Sequence, residues 1–174
     1  FELLTNDNTS YLFQKLNGRA AYSGHGWGGG VAVFAASQDT SITALYNFGF
    51  LESNTSALAS GNQVIAPAMI FSGSEDCIAP DTANQIALFD TLNSSCKFLI
   101  SIDSGLYCKF ANVSVTCDGL ESACAPTQGI SYAEQRTIVF RNLRPWLSFV
   151  LLGECDDWSE FQTAINSDTA IQFL

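Results

Sequence analysis

The stretch "GHGWGGG", Gly24 to Gly30, stands between the apolar segment "RAAYS" at Arg19–Ser23 and the small-residue segment "VAVFAAS" at Val31–Ser37. Five of its seven residues are glycine, which suits a chain that turns sharply where backbone approaches backbone and no Cβ fits. We read a short buried strand at Arg19–Ser23, a tight turn, and a helix over Val31–Ser37. Working outward, apolar segments alternate with helical patterns: strands are expected at Ile42–Phe48, Val64–Ser72 and Lys97–Ile102, and a helix at Asp81–Leu92 after Pro80. Such alternation specifies an α/β fold, a predominantly parallel sheet flanked by helices. Pro67 should lie near the start of its strand, because proline cannot donate to a central ladder.

Toward the C-terminus, Leu106–Gly129 is a stretch of 24 residues without a regular period, and it holds three cysteines. A loop of that length inside a compact domain is expected to be fastened covalently. Ser131 and Glu134 have capping-box spacing for a helix running toward Gly153, bent or divided at Pro145, and a last helix is expected over Asp156–Ile165. Residues 1–17 have room for a helix and a polar connection. Residues 1–174 are read as a single domain.

Composition narrows the function classes. Hydrophobic residues make up 47% and charged residues 14%, enough apolar surface for a core and too little charge density for disorder. The formal charge is −10 and no basic cluster occurs, so neither nucleic acid nor an anionic membrane surface is an expected partner. No apolar run approaches the roughly 18 residues of a spanning helix; the longest considered is Trp146–Leu152.

Six cysteines accompany one histidine, and no close CxxC pair occurs. We therefore expect disulfides in an oxidising, secreted or extracellular setting, with no metal centre and no cofactor. Parallel strands end on one edge of a sheet, which favours Cys77–Cys108; Cys96 and Cys155 share the opposite edge, leaving Cys117–Cys124 as a local clip. Asn8, Asn54, Asn93 and Asn112 stand in Asn-x-Ser/Thr acceptors for glycosylation. The sequence opens at Phe1 without Met or a signal segment, so we expect either a processed N-terminus or a piece of a longer chain.

A strand, then G-x-S-x-G, then a helix forms a nucleophile elbow, which exposes a serine beside a backbone N–H that stabilises an oxyanion. In "GHGWG" the serine position is Gly26. An ordinary glycine-rich turn reads the same way on this motif alone. Two further stretches follow in order, "FSGSEDCIAP" at Phe71–Pro80 and "DSGLYCKFAN" at Asp103–Asn112. Together the three resemble the dienelactone-hydrolase-like branch of the α/β-hydrolases, in particular secreted polyester hydrolases and cutinase-like enzymes. In that branch the elbow reads G-[HW]-S-M-G-G-G and the acid G-x-x-D-x-x-x-P. The stretch "LRPWLSFVLLGECDDW" also looks like the family's C-terminal helix and its flank.

Carried over by position, the resemblance places the nucleophile on Gly26, the acid on Asp76 and the base on Tyr107. Glycine has no nucleophile, and a phenol that stays protonated near neutral pH cannot accept and return a proton as imidazole does. The triad is thus expected to be vestigial. Ser23, three residues before Gly26, should not project into the cleft. His25 is expected to pack rather than catalyse, and Trp27 to shape the cleft floor; both are the binding residues we name.

The resemblance also implies about four strands ahead of the elbow, where this sequence has about 18 residues. The strand ending at Ser23 should therefore have an open edge, to be paired by a protein partner or by an N-terminal half. Three readings follow: a catalytically inactive hydrolase-like secreted module with a structural or assembly role; a serine-type ester hydrolase completed by another segment or partner; or a module that binds a ligand without cutting it.

Overall fold

The computed structural model describes residues 6–54, 56–124 and 129–174. Its centre is a five-stranded sheet in the order β1 (Ala21–His25), β2 (Ala44–Phe48), β3 (Ala68–Gly73), β4 (Lys97–Ile102) and β5 (Ile171–Phe173). The first four strands are parallel and β5 is antiparallel to β4. Side chains alternate between two cores, as the period of two demands. Leu45, Ala68, Ile70 and Leu99 face helices α1 (Trp27–Gln38), α2 (Leu58–Gly61) and α3 (Gln85–Thr91). Ala44, Met69, Phe71 and Ile100 face α5 (Tyr132–Leu152) and α6 (Cys155–Ser167). The expected α/β architecture is the observed one.

Several boundaries move. β1 runs two residues further than expected, because His25 still pairs with Phe48 of β2, and α1 begins at Trp27, immediately after the turn. β3 starts only at Ala68, just past Pro67, whose carbonyl accepts from Leu45 N–H. The expected helix at Asp81 begins at Gln85, because residues 81–84 form turns instead. Strand Lys97–Ile102 stands as expected. Helix α5 is one element of 21 residues passing through Pro145, with the capping box at Ser131 and Glu134 and a left-handed Gly153 at its end. It is not divided. Strand β5, only three residues long, had no sequence signal. Of residues 1–17, those numbered 1–5 lie outside the described residues, and 8–15 run in successive turns.

The long stretch Leu106–Gly129 is not structureless. It holds a 3₁₀ turn at Cys108–Phe110 and helix α4 at Val115–Ser122, whose cap Ser114 accepts from Cys117 N–H. Here the expected disulfide pairing is overturned. The bonds are Cys77–Cys124 and Cys108–Cys117, while Cys96 and Cys155 carry free thiols. The reason is α4 itself: it lifts Cys117 to the 3₁₀ turn and Cys124 to the loop after β3, so that a bond fastens each end of the helix. A structureless loop would have let the nearer pair, Cys117 and Cys124, close on themselves.

Candidate functional site

Parallel register brings the C-terminal ends of β1 to β4 to one edge, and the loops that leave them converge there. Gly26 is the hinge between β1 and α1, with φ +58° and ψ −125°, a conformation that side-chain-bearing residues adopt only at a cost. Its N–H donates to Phe48 O, and its carbonyl accepts from Gly29 N–H and Leu51 N–H. A Cβ at Gly24 would collide with the carbonyl of Gly28, so the first glycine of the turn is required for close passage of the helix.

The three positions selected by the resemblance do meet. A Cβ on Gly26 would overlap the Tyr107 hydroxyl, with Cζ of the same ring at 3.0 Å. The phenol therefore fills the space a side chain at position 26 would enter. A Cβ on Gly49, after β2, would stand 3.2 Å from the Tyr107 ring and 3.6 Å from Asp76 Oδ2, placing ring and carboxylate around one small volume. Asp76 is buried; its Oδ1 accepts from Ile78 N–H at 2.9 Å and Ala79 N–H at 2.7 Å. Its Oδ2 has no hydrogen-bond partner among the described residues.

Electrostatics follow from this burial. Loss of solvent pushes the Asp76 carboxyl up to about 6, against the two backbone donors, with Glu121 and Asp81 adding repulsion. Burial, then the charge of Asp76, raises the Tyr107 phenol above its ordinary value, so it remains a neutral hydroxyl across the physiological range. His25 lies with its ring 4.3 Å from that of Tyr107 and its Nε2 3.1 Å from Tyr107 O. Burial lowers its pKa, partly offset by the bond to that carbonyl. It is a neutral imidazole whose Nε2–H donates to backbone.

Ser23 is exposed in the middle of β1, and Trp27 is exposed at the start of α1. All four glycosylation acceptors, Asn8, Asn54, Asn93 and Asn112, are exposed.

Two residues that sequence reading missed hold the tyrosine in place. Glu121 of α4 is buried, and its carboxylate accepts from the backbone N–H groups of Cys108, at 3.1 Å, and of Tyr107. Gln135 of α5, fully buried, grips Leu106 from both sides: Oε1 accepts from Leu106 N–H at 2.9 Å and Nε2 donates to Leu106 O at 2.8 Å. Neither belongs to a motif; only α4, held by its disulfides, and the capped α5 bring them there. Cys108, Asp118 and Glu121 also cluster, but the Cys108 sulfur is bonded to Cys117 and offers no thiolate to a metal.

No described helix is long and apolar enough to cross a membrane. A search of curated proteins found no match. The profile of a family described as PET hydrolase-like matches residues 3–120, which spans β1 to the last full turn of α4, and with it the elbow, Asp76 and Tyr107. On that match and on its mostly parallel, helix-flanked sheet, the chain belongs to the PET hydrolase-like family of α/β-hydrolases.

Proposed function

We propose that this chain is a single-domain, secreted, hydrolase-like module without ester-cleaving chemistry, and that it serves by assembling with another polypeptide along β1. The observation that carries the reading is the Tyr107 hydroxyl in the space beside Gly26. An ester cannot be attacked where there is no hydroxyl to deprotonate, and a phenol held neutral beside a buried carboxyl does not act as the proton shuttle. The one histidine is spent on the carbonyl of Tyr107. Asp76 then orients nothing.

Assembly is supported by the edge. Among the described residues β1 pairs with β2 alone, and the other side of the strand is the edge of the sheet. Unpaired strand edges recruit further strands, whether from a separate partner or from an N-terminal half. Disulfides and the exposed glycosylation acceptors suit a secreted glycoprotein.

The retained elbow conformation at Gly26 and the unpartnered Asp76 Oδ2 favour, as the second reading, a serine-type ester hydrolase completed by another segment or partner. A chromogenic short-chain ester and a serine-directed phosphonate separate the two. The expected result is no turnover above buffer and no adduct by intact mass. Turnover with a labelled residue, on this chain or on a companion isolated with it, would reverse the assignment.

A further inference from the structure

We infer that the flank of α5 turned toward β1 is a docking groove for an acidic amphipathic helix; this rests on the assembly reading above and specifies the second contact of the same partner. On that face of the sheet α6 covers one side of α5, through Phe149 against Trp158 and the ion pair of Arg141 with Asp168. Among the described residues no helix packs on the opposite flank; Asn17 and Arg19 meet its C-terminal end, at Leu151 O and Val150 O. At helical spacing it presents Phe140, Leu147 and Leu151. Phe140 is 67% exposed and Leu152, further along the same helix, 59%, and neighbouring exposed apolar side chains of this kind mark interaction sites. Ser23, although mid-strand on the neighbouring β1, is exposed as well, so the sheet beside the helix is open.

Two concavities, of about 570 and 410 Å³, lie along this flank and share Phe140 and Leu143. They form one groove from Phe110 to Leu152. Between residues 136 and 152 the helix rises about 24 Å, which matches an occupant of four to five turns.

Charge selects the occupant. Only 7 of 174 residues are basic against 17 acidic, yet Arg136 and Arg144 line the groove and Arg19 reaches its far end, donating to Val150 O. Among the described residues none of the three is ion-paired, whereas Arg141 on the opposite flank is. Among the described residues no carboxylate lines the groove. An apolar seam rimmed with arginines complements a helix whose leucine face is bordered by Glu or Asp.

The test uses the whole chain and three 18-residue helical peptides with identical leucine faces, flanked by Glu, Gln or Lys, read by fluorescence anisotropy. The Glu peptide should bind at least about tenfold more tightly than the Lys peptide. Arg144→Glu should reverse that order, and Phe140→Asp with Leu152→Asp, both at exposed positions of the groove, should abolish binding while circular dichroism and melting stay near wild type. Equal binding of all peptides, no saturable binding, or indifference to Arg144→Glu overturns the proposal. So does self-association of the chain that Phe140→Asp removes, which would make a second copy the occupant. Photo-cross-linking residues at positions 23 and 144 separate this from the reading it rests on. A natural companion cross-linked from 23 but not from 144 keeps assembly and rejects the groove; cross-links from both support the proposal; a companion cross-linked from neither position rejects both.

Discussion

Replacing Gly26 by alanine tests the packing around the hinge in a form that can be worked out in advance. Two costs are expected. Moving a Cβ into φ +58° costs about 1–2 kcal/mol for a residue that has one. Overlap with the Tyr107 hydroxyl adds about 1–3 kcal/mol of overpacking. Gly26→Ala should therefore lose roughly 2–5 kcal/mol in all. The second cost belongs to a single oxygen, since the next atom of the ring, Cζ, would stand at 3.0 Å. In a Tyr107→Phe background the cost of Gly26→Ala should fall to the backbone strain and a minor adjustment. The double-mutant cycle should then show a coupling of about 1–3 kcal/mol. Urea unfolding at fixed pH, with equal denaturant slopes across the four proteins, is the assay. A cost for Gly26→Ala that is the same with and without the phenol oxygen refutes the claim that Tyr107 occupies the space at position 26.

The remaining predictions concern ionisation, covalent links and the clamp on the base loop. Asp76 rises from 3.8 to about 6 on folding, so the unfolded chain releases that proton first. Its contribution to stability is present below about pH 4, is lost as pH rises through the folded value near 6, and stays lost above. Relative to Asp76→Asn, wild type should lose roughly 2 kcal/mol between pH 4 and 7; a flat difference in urea midpoints would contradict the buried carboxyl. Peptide mapping without reduction should recover Cys77–Cys124 and Cys108–Cys117, with Cys96 and Cys155 open to alkylation, and any other linkage overturns the account of α4. Serine replacement of the longer link, which encloses 47 residues against 9, should cost about 4 kcal/mol and of the shorter about 3. Gln135→Ala strips partners from both polar groups of Leu106 and should cost about 2–4 kcal/mol by thermal melting; a loss below 0.5 kcal/mol would show that water replaces the side chain.

Much of the site could be seen in the sequence because its geometry is local. Gly24 and Gly26 announce a turn that only glycine passes, and Asp76 sits in a spacing fixed by the turn after β3. Lys97–Ile102 was readable because its centre, Phe98–Ile100 with Ile102, is a short apolar run that the sheet buries in large part. What escaped were contacts between segments distant in the chain. Glu121 and Gln135 look like ordinary polar residues of a loop and a helix, yet each ends buried on the backbone around Tyr107. β5 could not be seen because three residues pair only when α6 has delivered them beside β4.

The one-dimensional pattern thus determined the class of fold, the strand-to-helix hinge and the residue types at its three key positions, since periodicity and backbone sterics act between near neighbours. Tertiary structure decided the rest: which cysteines join, which carboxyl lies buried with an unpartnered oxygen, and that a phenol from residue 107 fills the space beside residue 26. Those outcomes depend on solvent exclusion and on distances between segments dozens of residues apart, quantities that exist only once the sheet has assembled.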